Sequence, residues 1–230
     1  MKRSEIIQQI KEFIDPEFAK SEMHLKILNT KQVVLGVRTP KMKELARKFS
    51  KNGWKAAFLA LKDEFWEETV LAGLLLSKNK DINESFLMLK DYCGRIDNWA
   101  TCDQVCGAHK IFKKDIDNKY FKQFIDLSLS KDEFVARVGL IMLMLYYLKD
   151  ECIDEILGLL SKISNHKYYV DMAVAWLISY AIVKYPQKTI ALLKTKTLTK
   201  FVQNKAICKC RDSFRVPKET KEELIAYRIK

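Results

Sequence analysis

Residues 96–109 read "IDNWATCDQVCGAH", and more than one kind of chemistry is open to them. Trp99 and Asp103 stand four apart, so on a helix they face the same way. An indole face attracts a cation, and a carboxylate beside it stabilises positive charge as it develops. The local alternative is that Asn98 caps the helix, Trp99 packs and Asp103 binds a neighbouring Lys or Arg. Cys102, Cys106 and His109 also share a helical face and resemble part of a metal site. No fourth ligand lies near them in sequence, and thiols are at home in helix cores. The expectation is therefore packing, with no metal and no cofactor. The other four cysteines, Cys93, Cys152, Cys208 and Cys210, read as free thiols of a reducing compartment.

Further polar residues are embedded in runs that otherwise belong in a core. Arg137 lies in "EFVARVGLIMLML", where its planar fork could clamp a phosphate or close an internal ion pair. Trp176, in "DMAVAWLISY", could line a cleft or pack, and Asp171 could cap or pair locally. Most enzyme motifs are missing. The chain has no Gly-rich phosphate loop, no HExxH and no GxSxG, and only three histidines, His24, His109 and His166, so a histidine general base is not expected.

The elements that must position these residues read as helices. Apolar periodicity places them at roughly 54–61, 64–78, 82–94, 98–111, 116–128, 132–148, 151–162, 168–184 and 198–213. Asn52–Gly53 is the single Asn-Gly, and its flanks read as helix rather than hairpin arms. In "LGVRTPKMKELARKF", Pro40 fits the first turn of a helix with Thr39 as its cap. The dense apolar helices begin near 65, 99, 134, 168 and 201, in steps of 34, 35, 34 and 33 residues. Each interval has room for one more helix. Two helices every 34 residues or so describe an α-solenoid, and the poor similarity between repeats favours HEAT-like over tetratricopeptide units. The expected fold is all-α, a single HEAT-like repeat domain over residues 1–230 whose concave face is basic.

Composition agrees with a large folded core: 48% apolar residues and twelve Phe exclude disorder, and no apolar run is long enough to span a bilayer. The start "MKRSEIIQQIKEF" has no signal-peptide core, so the cytoplasm is expected. The net charge of +12 is uneven. Residues 26–55 hold nine Lys/Arg against one acid, and residues 184–230 hold thirteen against four. A polyanion bridging both blocks would account for this, and solvated Lys-rich helix faces are the alternative.

Taken together, "LGVRTPKMKELAR", "FWEETVLAGLLL", "IDNWATCDQ", "FVARVGLIMLMLYY", "YYVDMAVAWLISYAIVKYP" and "NKAICKCRDSFRV" resemble the AlkD-like DNA alkylation repair family, in order, from about residue 35 to 216. The resemblance implies HEAT-like repeats and excision of cationic alkylated purines, such as 3-methyladenine and 7-methylguanine, from duplex DNA. It also implies that the base is not flipped into a pocket and that no metal is needed. By position, the family's catalytic Trp and Asp fall on Trp99 and Asp103, its phosphate-contacting Arg on Arg137, and its second cleft Trp on Trp176. Arg38, Lys41, Lys43, Lys205 and Arg211 are the members of the basic blocks expected on DNA, with the nucleoid as the place of work. Neither a membrane nor an obligate protein partner is implied. Ala100 departs from the pattern, since active members carry an acid there, and the stretch "SEMHLKILNTKQVV" has no clear counterpart. The rival expectation is a non-catalytic DNA-binding scaffold of the same family, with a protein-binding HEAT module more distant.

Overall fold

The computed structural model describes residues 2–51 and 53–230, so Asn52 of the Asn-Gly pair lies outside the described residues. The protein is all-α. No strand forms among the described residues, and only isolated bridges, Ile14 with Val37 and Val33 with Phe65, touch β geometry. The chain divides into two compact units, one ending at Ile116 and one beginning at Asp117.

The N-terminal unit holds α1 (Arg3–Lys11), α2 (Pro16–Lys20), α3 (Glu22–Leu28), α4 (Thr39–Ser50), α5 (Trp54–Ala60), α6 (Trp66–Leu76), α7 (Ile82–Tyr92) and α8 (Trp99–Ala108). Its axis is α6, buried along its whole length and packed by α4, α5, α7 and α8. Gly73 permits that packing, because a Cβ there would overlap Val105 of α8 and the Tyr92 ring. Two acids sit inside this apolar centre. The buried Glu67 carboxylate accepts the backbone N–H groups of Leu35, Gly36 and Val37 at 3.0, 2.8 and 3.0 Å. Glu68 takes both the Nε and Nη2 of Arg3 at 2.7 Å and caps the backbone N–H groups of Glu64 and Phe65. Gly36, at φ 96°, is pressed against Ala19, and only glycine fits there. The helix of "RTPKMKELARKF" begins one residue earlier than expected. Arg38 is the extended N-cap, its carbonyl receiving the N–H groups of Lys41 and Met42, and Thr39 is already helical.

The C-terminal unit holds α9 (Phe121–Ser128), α10 (Glu133–Tyr146), α11 (Ile153–Leu160), α12 (Tyr168–Lys184), α13 (Pro186–Thr195), α14 (Lys200–Asp212) and α15 (Lys218–Glu223). Asp132 starts α10 by accepting the Phe134 and Val135 N–H groups at 3.0 Å. From there α10 packs on α9 and α12, α12 on α13 and α14, and α11 on α13. Gly139 plays the part of Gly73, since a Cβ would meet the backbone of α9 at Phe124 and Ser128.

The 34-residue step seen in the sequence reappears as a ladder of polar ties. Within the N-terminal unit, Trp66 Nε1 donates to Thr101 Oγ1 at 2.8 Å, 35 residues on, and Arg95 Nε reaches Asp63 at 2.7 Å, 32 residues back. In the C-terminal unit the separations are 35 for Asn165 to the Ser130 carbonyl, 36 for Lys184 to the Leu148 carbonyl, 35 for Tyr185 to Asp150 and 34 for Lys188 to Asp154. Residues one step apart are neighbours, as a helical repeat requires. No helix among the described residues is long and apolar enough to cross a membrane.

Candidate functional site

The start of α8 is built to hold Trp99 still. Asn98, buried and extended, accepts the Thr101 N–H at 2.9 Å, as its cap role predicts. Its Nδ2 donates to Asp97 Oδ1 at 2.8 Å. Asp97 in turn receives the Thr30 hydroxyl at 2.9 Å and the Lys31 N–H at 2.7 Å, tying the chain after α3 to the start of α8. The Trp99 indole Nε1 donates to the Ile27 carbonyl at 2.9 Å, which fixes the half-buried ring from its far edge.

Asp103, one turn on and half-buried, lines an open groove whose walls come from three elements. Lys43 and Arg47 rise from α4, Lys78 from the end of α6, and Lys110 from the turn after α8; Gln104 and Gly107 complete the α8 side. None of the four cations has an ion-pair partner among the described residues. Burial, and then the Arg47 and Lys110 charges, hold the Lys78 ammonium below its usual range. Like charges are gathered around one groove, and their field favours an anion there. Of the residues singled out from sequence, Asp103 and Lys43 come together in this groove, while Trp99 is not among its lining residues. Arg47, Lys78 and Lys110 were missed; Arg47 belongs to the first basic block, but nothing in sequence joins the three.

The thiols of α8 pack. Cys102 and Cys106 are buried, and burial pushes the Cys106 thiol well up, with Cys102 adding to it. His109 is buried with Nδ1 2.7 Å from the Val105 carbonyl, and desolvation lowers its pKa to about 4, so it is a neutral core imidazole.

In the C-terminal unit, Arg137 is buried on α10 and donates Nη1 to the Tyr169 carbonyl at 2.8 Å, while Glu133 accepts the Tyr169 N–H at 2.8 Å. The first turn of α12 is thus clamped from both sides by α10. Asp171 is buried beside His166, 3.1 Å from its Nδ1. Trp176 is half-buried and meets Tyr180 edge to face at 5.8 Å. It lines a cleft with Tyr180, Lys209, Phe214 and Arg215. Lys205 is half-buried and Arg211 exposed on α14. Arg38 and Lys41 are engaged at the surface, Arg38 with Asp15 at 2.6 Å and above the Phe18 ring, Lys41 with Glu44 at 2.9 Å and above Phe13.

A family model described as DNA alkylation repair enzyme matches residues 6–209. The chain belongs to the DNA alkylation repair enzyme family. The match runs through both units and takes in the Trp99–Asp103 turn, the cationic groove, Arg137 and Trp176. No curated protein matches the chain. The family's description points to DNA as the class of partner, and basic side chains are available on the chain.

Proposed function

We propose that this protein is a DNA N-glycosylase that removes cationic N-alkylated purines, of the 3-methyladenine and 7-methylguanine type, from duplex DNA. The observation that carries the reading is the place of Asp103, one turn along α8 from an immobilised Trp99 and on the wall of a groove supplied with four cations. N-alkylation makes the purine a positively charged leaving group, so the base needs no proton from an acid. Cleavage leaves an oxocarbenium-like sugar, as glycoside hydrolysis does. The Asp103 carboxylate stabilises that charge and positions the attacking water, and the Trp99 face adds attraction to the cationic sugar. Arg137, Trp176, Lys43, Lys205 and Arg211 are assigned to the strand, with Arg38 and Lys41 exchanging surface partners for phosphates. The helical repeats are read as HEAT-like, and the cytoplasm, on the nucleoid, as the place of action.

The second reading is a DNA-binding scaffold without excision. It is favoured by Ala100, where the resemblance calls for an acid, and by the Trp99 N–H being taken up by the Ile27 carbonyl. One assay separates the two. Purified protein is expected to release 7-methylguanine or 3-methyladenine from methylated duplex DNA. Asp103→Asn is expected to slow release by about 10²–10³-fold, the scale of losing one preorganised electrostatic partner, while duplex binding is kept. Tight, salt-sensitive binding without any release would establish the scaffold instead.

A further inference from the structure

We propose that the C-terminal unit carries a second nucleic-acid site, an aromatic and cationic cleft that stacks an unpaired nucleobase. It rests on the reading above in that the chain binds nucleic acid and Trp176 is already assigned there to the strand; excision is not required for it. The cleft is lined by Trp176, Tyr180, Lys209, Asp212, Phe214 and Arg215. Its most unusual member is Phe214, whose ring is 93% exposed in the turn that follows α14. A fully solvated Phe beside a cleft is not explained by packing, and it stands between the exposed cations Arg211 and Arg215.

The remaining walls are already ordered as a stack. The Arg215 guanidinium lies over the Tyr180 ring at 4.6 Å, and Trp176 meets that ring edge to face at 87°. Ser213 fixes the turn by accepting the Arg215 N–H at 3.3 Å. Gln203, one face of α14 away, bonds the Leu193 and Tyr227 carbonyls at 2.8 and 2.9 Å and holds the helix that carries the turn. Flat π-faces and guanidinium planes, with cations at the rim, are what a base and its phosphate require. Asp212, the one carboxylate of the lining, is an acceptor for the amino group of adenine, cytosine or guanine. A duplex base is already stacked on its neighbours, so the occupant is an unpaired one, from a single strand, a gap or a frayed end.

The test uses the full chain and two fluorescently labelled single strands of about 12 nucleotides, a length within the usual site size, at one fixed salt concentration. One strand carries natural bases and the other is abasic throughout. The natural strand is expected to bind more tightly. Phe214→Ala is expected to weaken it by about tenfold, within the range for one base–aromatic stack, and to leave the abasic strand unchanged. Phe214→Leu should behave as the Ala variant, and Phe214→Trp should restore binding, since an exposed turn residue tolerates each. Equal loss on both strands, no loss on either, or full affinity in the Leu variant would overturn the proposal. The base-release assay separates it from the glycosylase reading: Phe214→Ala is expected to lose affinity for the natural single strand whether or not the parent protein releases methylated bases.

Discussion

The two units reach the same helical-repeat packing by different means. At the centre of the N-terminal unit, carboxylates of α6 are buried and bonded, Glu67 to three consecutive backbone N–H groups and Glu68 to Arg3. The C-terminal unit is centred on α10 and α12, whose buried faces are overwhelmingly Ala, Val, Leu, Ile and Met. Their polar ties, such as Arg137 and Glu133 to Tyr169, lie near helix ends. The difference teaches where geometry is specified. Buried polar bonds are directional and fix a loop in one place, whereas apolar packing fixes a helix only by shape. The N-terminal unit needs the former, because the segment that Glu67 holds leads directly into α4, the source of Lys43 and Arg47.

This contrast can be broken experimentally, since Trp54, Trp66 and Trp99 report on the N-terminal unit and Trp176 on the other. The largest effect is expected from Glu67→Ala, which leaves three backbone donors unpaired and is expected to cost about 4 kcal/mol or more. Urea unfolding followed by fluorescence in a Trp176→Phe background would show that loss as an earlier N-terminal transition. Next is acid sensitivity. His109 has a folded pKa of about 4 against 6.5 in the unfolded chain, so the unfolded state takes up the proton first. Stability is therefore full above pH 6.5 and falls by roughly 3 kcal/mol on the way down to pH 4. The Glu68 carboxyl, burial of which is outweighed by Arg3 and the backbone N–H groups, is held below its usual range and extends the loss below about pH 4.5. A His109→Gln variant should flatten the upper part of the profile; an unchanged slope between pH 6.5 and 4 would place the titration elsewhere. The smallest effect tests what the units have in common. Gly73→Ala and Gly139→Ala should each destabilise by about 1–3 kcal/mol through overpacking, with neither unit the more tolerant.

Much of this was legible in the sequence. The helices expected at 54–61, 82–94, 132–148 and 168–184 correspond to α5, α7, α10 and α12, with ends drawn in by a residue or two where turns tighten. The 34-residue step is seen again in the separation of the polar ties. The Asn98 cap was also readable from its place before an apolar helix. The short helices α1 to α3 were not, because five to nine residues carry too little periodicity to register. Nor was α13, whose "QKTIALLKTK" looks like part of a charged block. In the candidate site, Trp99 and Asp103 announce themselves by spacing. Arg47, Lys78 and Lys110 do not, since only the packing of α4, α6 and α8 makes them neighbours. Glu67 and Glu68 read as ordinary first-turn acids of α6, and their burial depends on partners some 30 and 65 residues back along the chain.

The ladder of ties one repeat apart has a kinetic meaning. Each tie closes a loop of 32 to 36 residues, and loop-closure entropy rises only slowly with length, so every rung faces nearly the same barrier. Contacts between adjacent repeats keep the contact order low relative to chain length, which favours rapid folding. Ordering can begin at any pair of neighbouring repeats within a unit and spread from there, as in a one-dimensional lattice where each site feels only the next.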